Sequence, residues 1–84
     1  MITVTNKSKN PNLQVAINHW AKDGSTDYFT IPMEKSETWD RSDDRGFVMA
    51  VQLPPNRKSY LVVFNSVVEV FDKEVVIDGQ HHSF

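Results

Sequence analysis

Two polar segments, 18–28 and 39–46, hold the residue types best suited to binding chemistry. Each contains a tryptophan that is soon followed by aspartate and a basic residue. A sugar ring packs its apolar C–H face on an indole, and its hydroxyls bond to carboxylates, amides and guanidinium groups. The segments therefore predict a carbohydrate site on loops, where all-β binding proteins commonly carry their function. The candidate ligand-binding residues are His19, Trp20, Asp23, Asp27, Trp39, Arg41, Asp43 and Arg45.

The roles within this site follow from side-chain chemistry. Trp20 and Trp39 would stack on the sugar, and the aspartates and arginines would hold its hydroxyls. A structural alternative stands beside this interpretation. In a small β-domain the two tryptophans are also the largest candidates for the core, and neighbouring Arg and Asp side chains can form surface ion pairs of little energetic value.

Catalysis and metal binding have weaker support in the sequence. The histidines are His19 and the adjacent pair His81 and His82, and the pair lies near the C-terminus, where fraying is expected. No G-x-S-x-G, H-E-x-x-H or glycine-rich phosphate loop occurs. With no cysteine a thiolate metal site is excluded, and segment 23–27 lacks the residue order of a calcium loop. We therefore expect neither an enzyme nor a bound metal or cofactor.

Length and charge narrow the class of protein further. A chain of 84 residues predicts one domain, 1–84, and its formal charge of −2 argues against a general nucleic-acid or anionic-membrane binder, which would carry a clear excess of basic residues. Residues 1–10 carry a charge of +2 and residues 22–45 carry −3. The favoured interpretation is a mixed, solvated surface, and the alternative is that the two ends of the molecule differ in sign. The first residues do not resemble a secretory signal, which predicts a cytoplasmic protein or one exported without a classical signal peptide.

The residue types predict an all-β fold. Of the 84 residues, 20 are Val, Ile or Thr, whereas there are only 3 Ala and 3 Leu. Apolar residues alternate with polar ones, and turn-forming residues separate the runs. This predicts a compact antiparallel β-sandwich or small barrel of seven to eight strands, with a tight hairpin at Asn65-Ser66. The expected strands are 1–5, 12–20, 27–31, 36–41, 46–53, 59–65, 67–71 and 74–78.

The apolar residues of the C-terminal strands predict that the chain associates with a second copy of itself. These strands contain more apolar side chains than one small core is expected to hide, and an unpaired apolar strand is prone to aggregate. We therefore expect a homodimer through these strands, which would also present two sugar sites and increase avidity. The side chains in question are Val67, Val68, Val70, Phe71, Val75 and Ile77.

Residues 18–53 resemble the central part of the aegerolysins, small fungal and bacterial β-sandwich proteins that bind membrane lipids. The shared elements are a Trp, an Asp-Gly/Asp loop, a Pro-x-Glu-Lys turn, and Arg-Ser-Asp before a Gly-Phe strand. Aegerolysins are longer and have a second half rich in Trp and Tyr, whereas here the second half has Tyr60 and no Trp. In this chain the elements are Trp20, Asp23-Gly24, Asp27, Pro32-Met33-Glu34-Lys35, Arg41-Ser42-Asp43 and Gly46-Phe47.

In size and composition the chain is also similar to the small cysteine-free lectins of mushroom fruiting bodies. That resemblance implies a dimeric carbohydrate-binding protein with a role in defence, whose partners are glycans or glycoconjugates. The sequence therefore predicts a non-enzymatic lectin. The alternative is an aegerolysin-like membrane-lipid-binding or toxin component, which would use the same loops against glycolipids or sphingolipids.

Overall fold

A computed structural model describes residues 1–19 and 27–84, and within those ranges the chain is all-β, without a helix. No helix of the described part is therefore long and apolar enough to cross a membrane. The strands are β1 (Ile2–Asn6), β2 (Leu13–Ile17), β3 (Phe29–Ile31), β4 (Ser36–Trp39), β5 (Phe47–Leu53), β6 (Asn56–Val62), β7 (Val67–Val70), β8 (Glu74–Ile77) and β9 (Gln80–Ser83).

These nine strands form two sheets. The first has the order β4-β1-β7-β8-β9, and the second has the order β3-β2-β5-β6. The two sheets are open, so the small barrel considered from the sequence is not formed by the described strands. The expectation of a wholly antiparallel arrangement is also wrong at one pair, because β1 and β7 run parallel, with Thr3 beside Val67 and Asn6 beside Val70.

Alternating apolar residues of both sheets meet in one hydrophobic core. On β1, Ile2 and Val4 are fully buried, while Thr3 and Thr5 between them are partly exposed. The same period of two recurs on β5, as expected for strands with one face in the core and one toward water. The buried cluster comprises Ile2, Val4, Leu13, Val15, Ile17, Ile31, Trp39, Phe47, Met49, Val51, Leu53, Tyr60, Val62, Val68, Val70, Val75 and Ile77.

The C-terminal residues form a ninth strand instead of a frayed tail. Asp78 and Gly79 have φ values of 50° and 84° and join β8 to β9 in a two-residue hairpin. This backbone matches the type I′ turn, which Asp-Gly favours because both central residues require positive φ. His81 and His82 therefore lie on an edge strand, where His82 makes an edge-on ring contact with Tyr60 at 5.9 Å.

The predicted hairpin at Asn65-Ser66 is wrong, because β6 and β7 belong to different sheets. The connection crosses between the sheets, and the buried Ser66 secures it. Its hydroxyl accepts a bond from the Val63 amide at 2.9 Å and donates to the Asp78 carboxylate at 2.9 Å. Its carbonyl accepts from Thr3 at 3.0 Å. A short polar break in an apolar run therefore redirects the chain from one sheet to the other.

The C-terminal valines mostly serve the chain's own core. Val68, Val70, Val75 and Ile77 belong to the buried cluster, whereas Val67 is 58% exposed. The premise that this region has too many apolar side chains for one core is therefore wrong. The exposed apolar surface lies instead around the β6–β7 connection.

Strand direction divides the connections between two ends of the molecule. The Met1 end carries the chain start and the connections 40–46, 63–66 and 78–79, together with the described parts of the β2–β3 connection. The Pro32 end carries the other four connections, 7–12, 32–35, 54–55 and 71–73. Both segments singled out from the sequence, 18–28 and 39–46, therefore leave the sheets at the Met1 end.

Candidate binding groove

Asn18 attaches the start of the β2–β3 connection to strand β5. Its amide donates to the Val48 carbonyl at 3.3 Å, and its side-chain oxygen accepts from the Val48 amide at 2.7 Å. The side-chain oxygen thus extends the pairing of β2 and β5 by one position beyond the last strand residues. Asn18 is only half-buried and remains at the surface of the Met1 end.

Arg41 is 2% exposed and holds the two loops together. Its Nε donates to the Asn18 carbonyl at 3.0 Å, its Nη2 to the Ile17 carbonyl at 3.0 Å and its Nη1 to the Asp40 carbonyl at 3.2 Å. A buried guanidinium whose donors are directed at backbone carbonyls is not available to sugar hydroxyls. The direct ligand contact predicted for Arg41 is therefore corrected to a positioning role.

Trp39 is also buried, with 3% of its surface exposed. It pairs with Ile2 across β1 and β4, and its ring meets Phe29 edge-on at 6.0 Å. Its Nε1 has no hydrogen-bond acceptor among the described residues. An indole enclosed in this way cannot stack on a sugar ring, so the stacking role predicted for Trp39 is corrected. The alternative drawn from the sequence, a core tryptophan, describes its position.

Asp43 and Arg45 form an exposed, well-aligned ion pair at the same end. Arg45 donates from Nη2 to Asp43 Oδ2 at 2.7 Å and from Nε to Oδ1 at 3.0 Å, and its amide also bonds Oδ1 at 2.9 Å. The side-chain bond from Arg45 and its backbone bond lower the pKa of Asp43 to about 2. The same pairing raises the pKa of Arg45. Both groups are consequently charged throughout the physiological pH range.

A groove of about 430 Å³ lies beside this ion pair on the outer side of β5 and β6. Val48 and Leu61 face each other across the two strands, and Leu61 is 80% exposed. Arg45 stands at the rim, so one concavity combines an apolar floor with a charged, hydrogen-bonding edge. The lining residues are Asn18, Arg45, Gly46, Phe47, Val48, Leu61, Val62 and Val63.

The remaining candidates do not converge on this groove in the described structure. His19 is half-exposed and directly follows Asn18, while Asp27 is exposed and does not line the groove. Trp20 and Asp23 lie outside the described residues. In the described part of the chain, no group of three His, Cys, Asp or Glu side chains is arranged to hold a metal ion.

The sequence pattern does not predict the apolar floor. The continuous apolar run 60–64 is typical of a central strand with both faces buried, yet β6 is an edge strand and Leu61 and Val63 are exposed. A signal for an edge existed, because Arg57 and Lys58 open the same strand, and charged residues often mark exposed edges. No sequence feature indicated that Leu61 and Arg45 would meet at one groove.

No protein-family model matches this chain, and neither the curated proteins nor the solved structures include a match.

Proposed function

We propose that the protein is a non-enzymatic carbohydrate-binding protein, a lectin, whose glycan occupies the groove at the Met1 end. One observation carries the proposal: an apolar floor of Val48 and Leu61 lies beside the ionised pair of Asp43 and Arg45. A pyranose needs both surfaces, because its C–H face is apolar and its hydroxyls seek directional, charged partners. In this proposal the two sheets pack as a β-sandwich, which is the rigid support for the groove.

The roles of the residues change from those expected at first. Arg45 and Asp43 bond the sugar hydroxyls at the rim, and the aliphatic floor replaces the indole of Trp39 as the apolar contact. Arg41 acts indirectly by holding the loops. His19, Trp20, Asp23 and Asp27 remain proposed contacts because they belong to the connection that leaves β2 beside the groove.

A second candidate function is binding of a membrane sphingolipid or glycolipid, as the aegerolysin resemblance implies. The exposed apolar side chains favour it. Leu61 and Val63 line the groove and are 80% and 47% exposed, and the adjacent Phe64 is 41% exposed. In this role the apolar side chains enter the interfacial region of the bilayer, while Arg45 contacts the headgroup.

Two copies of the chain would associate through Met1 and Val67, exposed apolar side chains beside the β6–β7 connection that do not line the groove. Met1 and Val67 are 60% and 58% exposed, and the amino group of Met1 donates to the Phe64 carbonyl at 2.8 Å. A homodimer through this surface would keep the two-site presentation that avidity needs. Sedimentation of Val67→Asp and the parent protein tests it, and a parent that is monomeric at micromolar concentration contradicts it.

The central experiment is a glycan array followed by calorimetric titration with the glycan found. Arg45→Gln should weaken the affinity about tenfold or more, because a charged hydrogen bond to the ligand is lost. Leu61→Asp should abolish binding with little change in melting temperature, since Leu61 is already exposed. Arg57→Gln is the matched control, because this exposed arginine lies toward the other end of β6.

The outcomes separate the candidates. Unchanged affinity in both groove variants would refute the groove as the sugar site. Binding to sphingolipid vesicles that free sugar cannot compete away would favour the lipid-binding function over the lectin. An empty array together with no binding to vesicles would refute both and leave an interaction module.

A further inference from the structure

Folding gathers four lysines at the Pro32 end that are far apart in the sequence. Lys35 accepts a backbone bond from the Asn6 amide at 2.9 Å, which places it beside the connection that carries Lys7 and Lys9. The Lys9 amide donates to the Asp72 carboxylate at 2.9 Å, and Lys73 follows Asp72 directly. We call these four residues, Lys7, Lys9, Lys35 and Lys73, the lysine cluster.

The lysine cluster gives the four connections at the Pro32 end a net positive charge. Its four side chains are exposed, and neither ion pair found among the described residues involves any of them. The four connections at this end contain only two acids, Glu34 and Asp72. The described connections at the Met1 end instead hold five aspartates and two arginines. The molecule therefore has a basic and an acidic end in spite of its formal charge of −2.

Salt prevents the acidic end from cancelling this local charge. The seven residues of β5 run between the two ends, and a strand of that length extends about 23 Å. The Debye length at physiological ionic strength is about 8 Å, so charges at the Met1 end are largely screened at the Pro32 end. A surface that approaches the Pro32 end therefore meets a net positive potential.

An exposed apolar side chain lies beside two residues of the lysine cluster. Met33 is 45% exposed in the turn that the Lys35 amide closes onto the Pro32 carbonyl at 3.1 Å. It lines a depression of about 690 Å³ together with Lys7, Ser8, Lys9 and Glu34. Lysine ammonium groups attract an anionic surface, and the flexible Met33 side chain beside them can insert into an apolar layer just beneath it.

We propose that the Pro32 end docks on membranes that contain anionic phospholipids, with the lysine cluster on the headgroups and Met33 inserted between them. Lysine is a flexible point charge suited to diffuse surface contact. Nucleic-acid sites depend on arginine forks and stacked aromatic rings. Arg57, at the start of β6, is the one arginine near this end of the described structure, and Phe71, the one aromatic residue of the four connections, is half-buried. This surface is independent of the proposed glycan groove, which lies at the other end.

Vesicle sedimentation tests the proposal. The intact protein should bind phosphatidylcholine vesicles containing about 30 mol% phosphatidylserine more tightly than pure phosphatidylcholine, and added salt should weaken this binding. A lysine near an anionic bilayer contributes about fivefold to the partition coefficient, so Lys7→Gln with Lys9→Gln should lower it about 25-fold. Glu34→Gln should raise it about fivefold for the same reason.

A matched control separates local from total charge. Thr38→Glu with Gln80→Glu also lowers the net charge by two, on exposed strand positions outside the lysine cluster, and should leave vesicle binding nearly unchanged. Equal loss in both double variants, or equal binding to both kinds of vesicle, would overturn the proposal.

Met33→Ser distinguishes a bilayer from a soluble polyanion. It should weaken binding to phosphatidylserine vesicles, because an inserted apolar group is lost, and it should leave any binding to heparin unchanged. If the parent protein binds heparin and Met33→Ser leaves vesicle binding intact, the surface recognises polyanions and the membrane assignment is wrong. Because none of these residues lines the groove, glycan binding by the same variants reports independently on the lectin proposal.

Discussion

Replacing Arg41 by Met would test whether a buried guanidinium organises the groove. Methionine keeps an unbranched apolar stem of similar length but removes every donor. The Ile17 carbonyl would lose a buried bond of 3.0 Å, and the Asn18 and Asp40 carbonyls would lose bonds of 3.0 Å and 3.2 Å in more accessible positions. The substitution therefore isolates hydrogen bonding from packing.

The expected loss of stability follows from these three bonds. A buried acceptor left without a partner costs about 1–3 kcal/mol, and the carbonyls that water can reach cost less. The methionine variant also no longer has to bury a charged group, which offsets part of this loss. We therefore expect the free energy of unfolding to fall by about 2–3 kcal/mol. For a domain of this size, that lowers the melting temperature by about 10–20 °C.

Thermal denaturation followed by circular dichroism measures this change, with Arg57→Met as the matched substitution at an exposed arginine. Native-state hydrogen exchange gives a local measure. The Val48 amide, which bonds Asn18, should exchange faster in the Arg41 variant than amides of β7 and β8 do. A melting temperature within about 3 °C of the parent protein would refute the reasoning, since less than 1 kcal/mol would then depend on these bonds.

Further measurements probe three separate features: the buried indole, the strained turn and the exposed ion pair. Trp39→Ala should cost about 3–5 kcal/mol and unfold much of the protein near 37 °C, which thermal denaturation measures; a stable variant that has lost only binding would restore the stacking role. Glu34 has a φ of 64°, in the left-handed region that favours glycine. Glu34→Gly should therefore raise the free energy of unfolding by about 0.5 kcal/mol, because the relief of backbone strain slightly exceeds the entropy cost of glycine. A lower melting temperature would contradict this. The Asp43 carboxyl should titrate in NMR near its lowered pKa of about 2. The stabilisation by its pair with Arg45 is therefore fully present above the ordinary pKa of 3.8 and is lost as the pH falls through 2. Arg45→Gln should return the midpoint toward 3.8, and an unchanged midpoint would show that the pairing is not its cause.

Local sequence patterns predicted the strands well because alternation directly reports one buried and one wet face. The observed strands β2, β3, β4 and β5 lie inside the expected ranges 12–20, 27–31, 36–41 and 46–53. The missed ninth strand was also a local feature. Asp78-Gly79 is a strong hairpin signal between a run of valines and a short polar strand, whereas the polar composition near the terminus is equally typical of a frayed end.

Pairing between strands was harder to predict, because it depends on contacts between residues distant in the chain. Asn65-Ser66 has the length of a hairpin loop, yet the partners of its flanking strands are β5 on one side and β1 with β8 on the other. Burial of Ser66 against Asp78 and Thr3 decides the crossing. Neither partner is near Ser66 in the sequence.

The candidate site shows the same division between chemistry and placement. The residue types of segments 39–46 and 18–28 indicated a polar, charged end, and Asp43 with Arg45 lies there exposed. The same types misassigned Trp39 and Arg41, because an indole or a guanidinium suits either a ligand or a buried neighbour. Which of these it meets depends on the partner strand and on the loop packed over it.

The sequence by itself determined that this chain is all-β, where most strands lie and which segments connect them, because these properties depend on neighbouring residues. Only the tertiary structure decided which side chains share a surface. It buried Trp39 and Arg41, brought Leu61 beside Arg45, and collected lysines from three connections at the end opposite the aspartates. Strand order and direction control those meetings, and they arise from long-range pairing that no local pattern encodes.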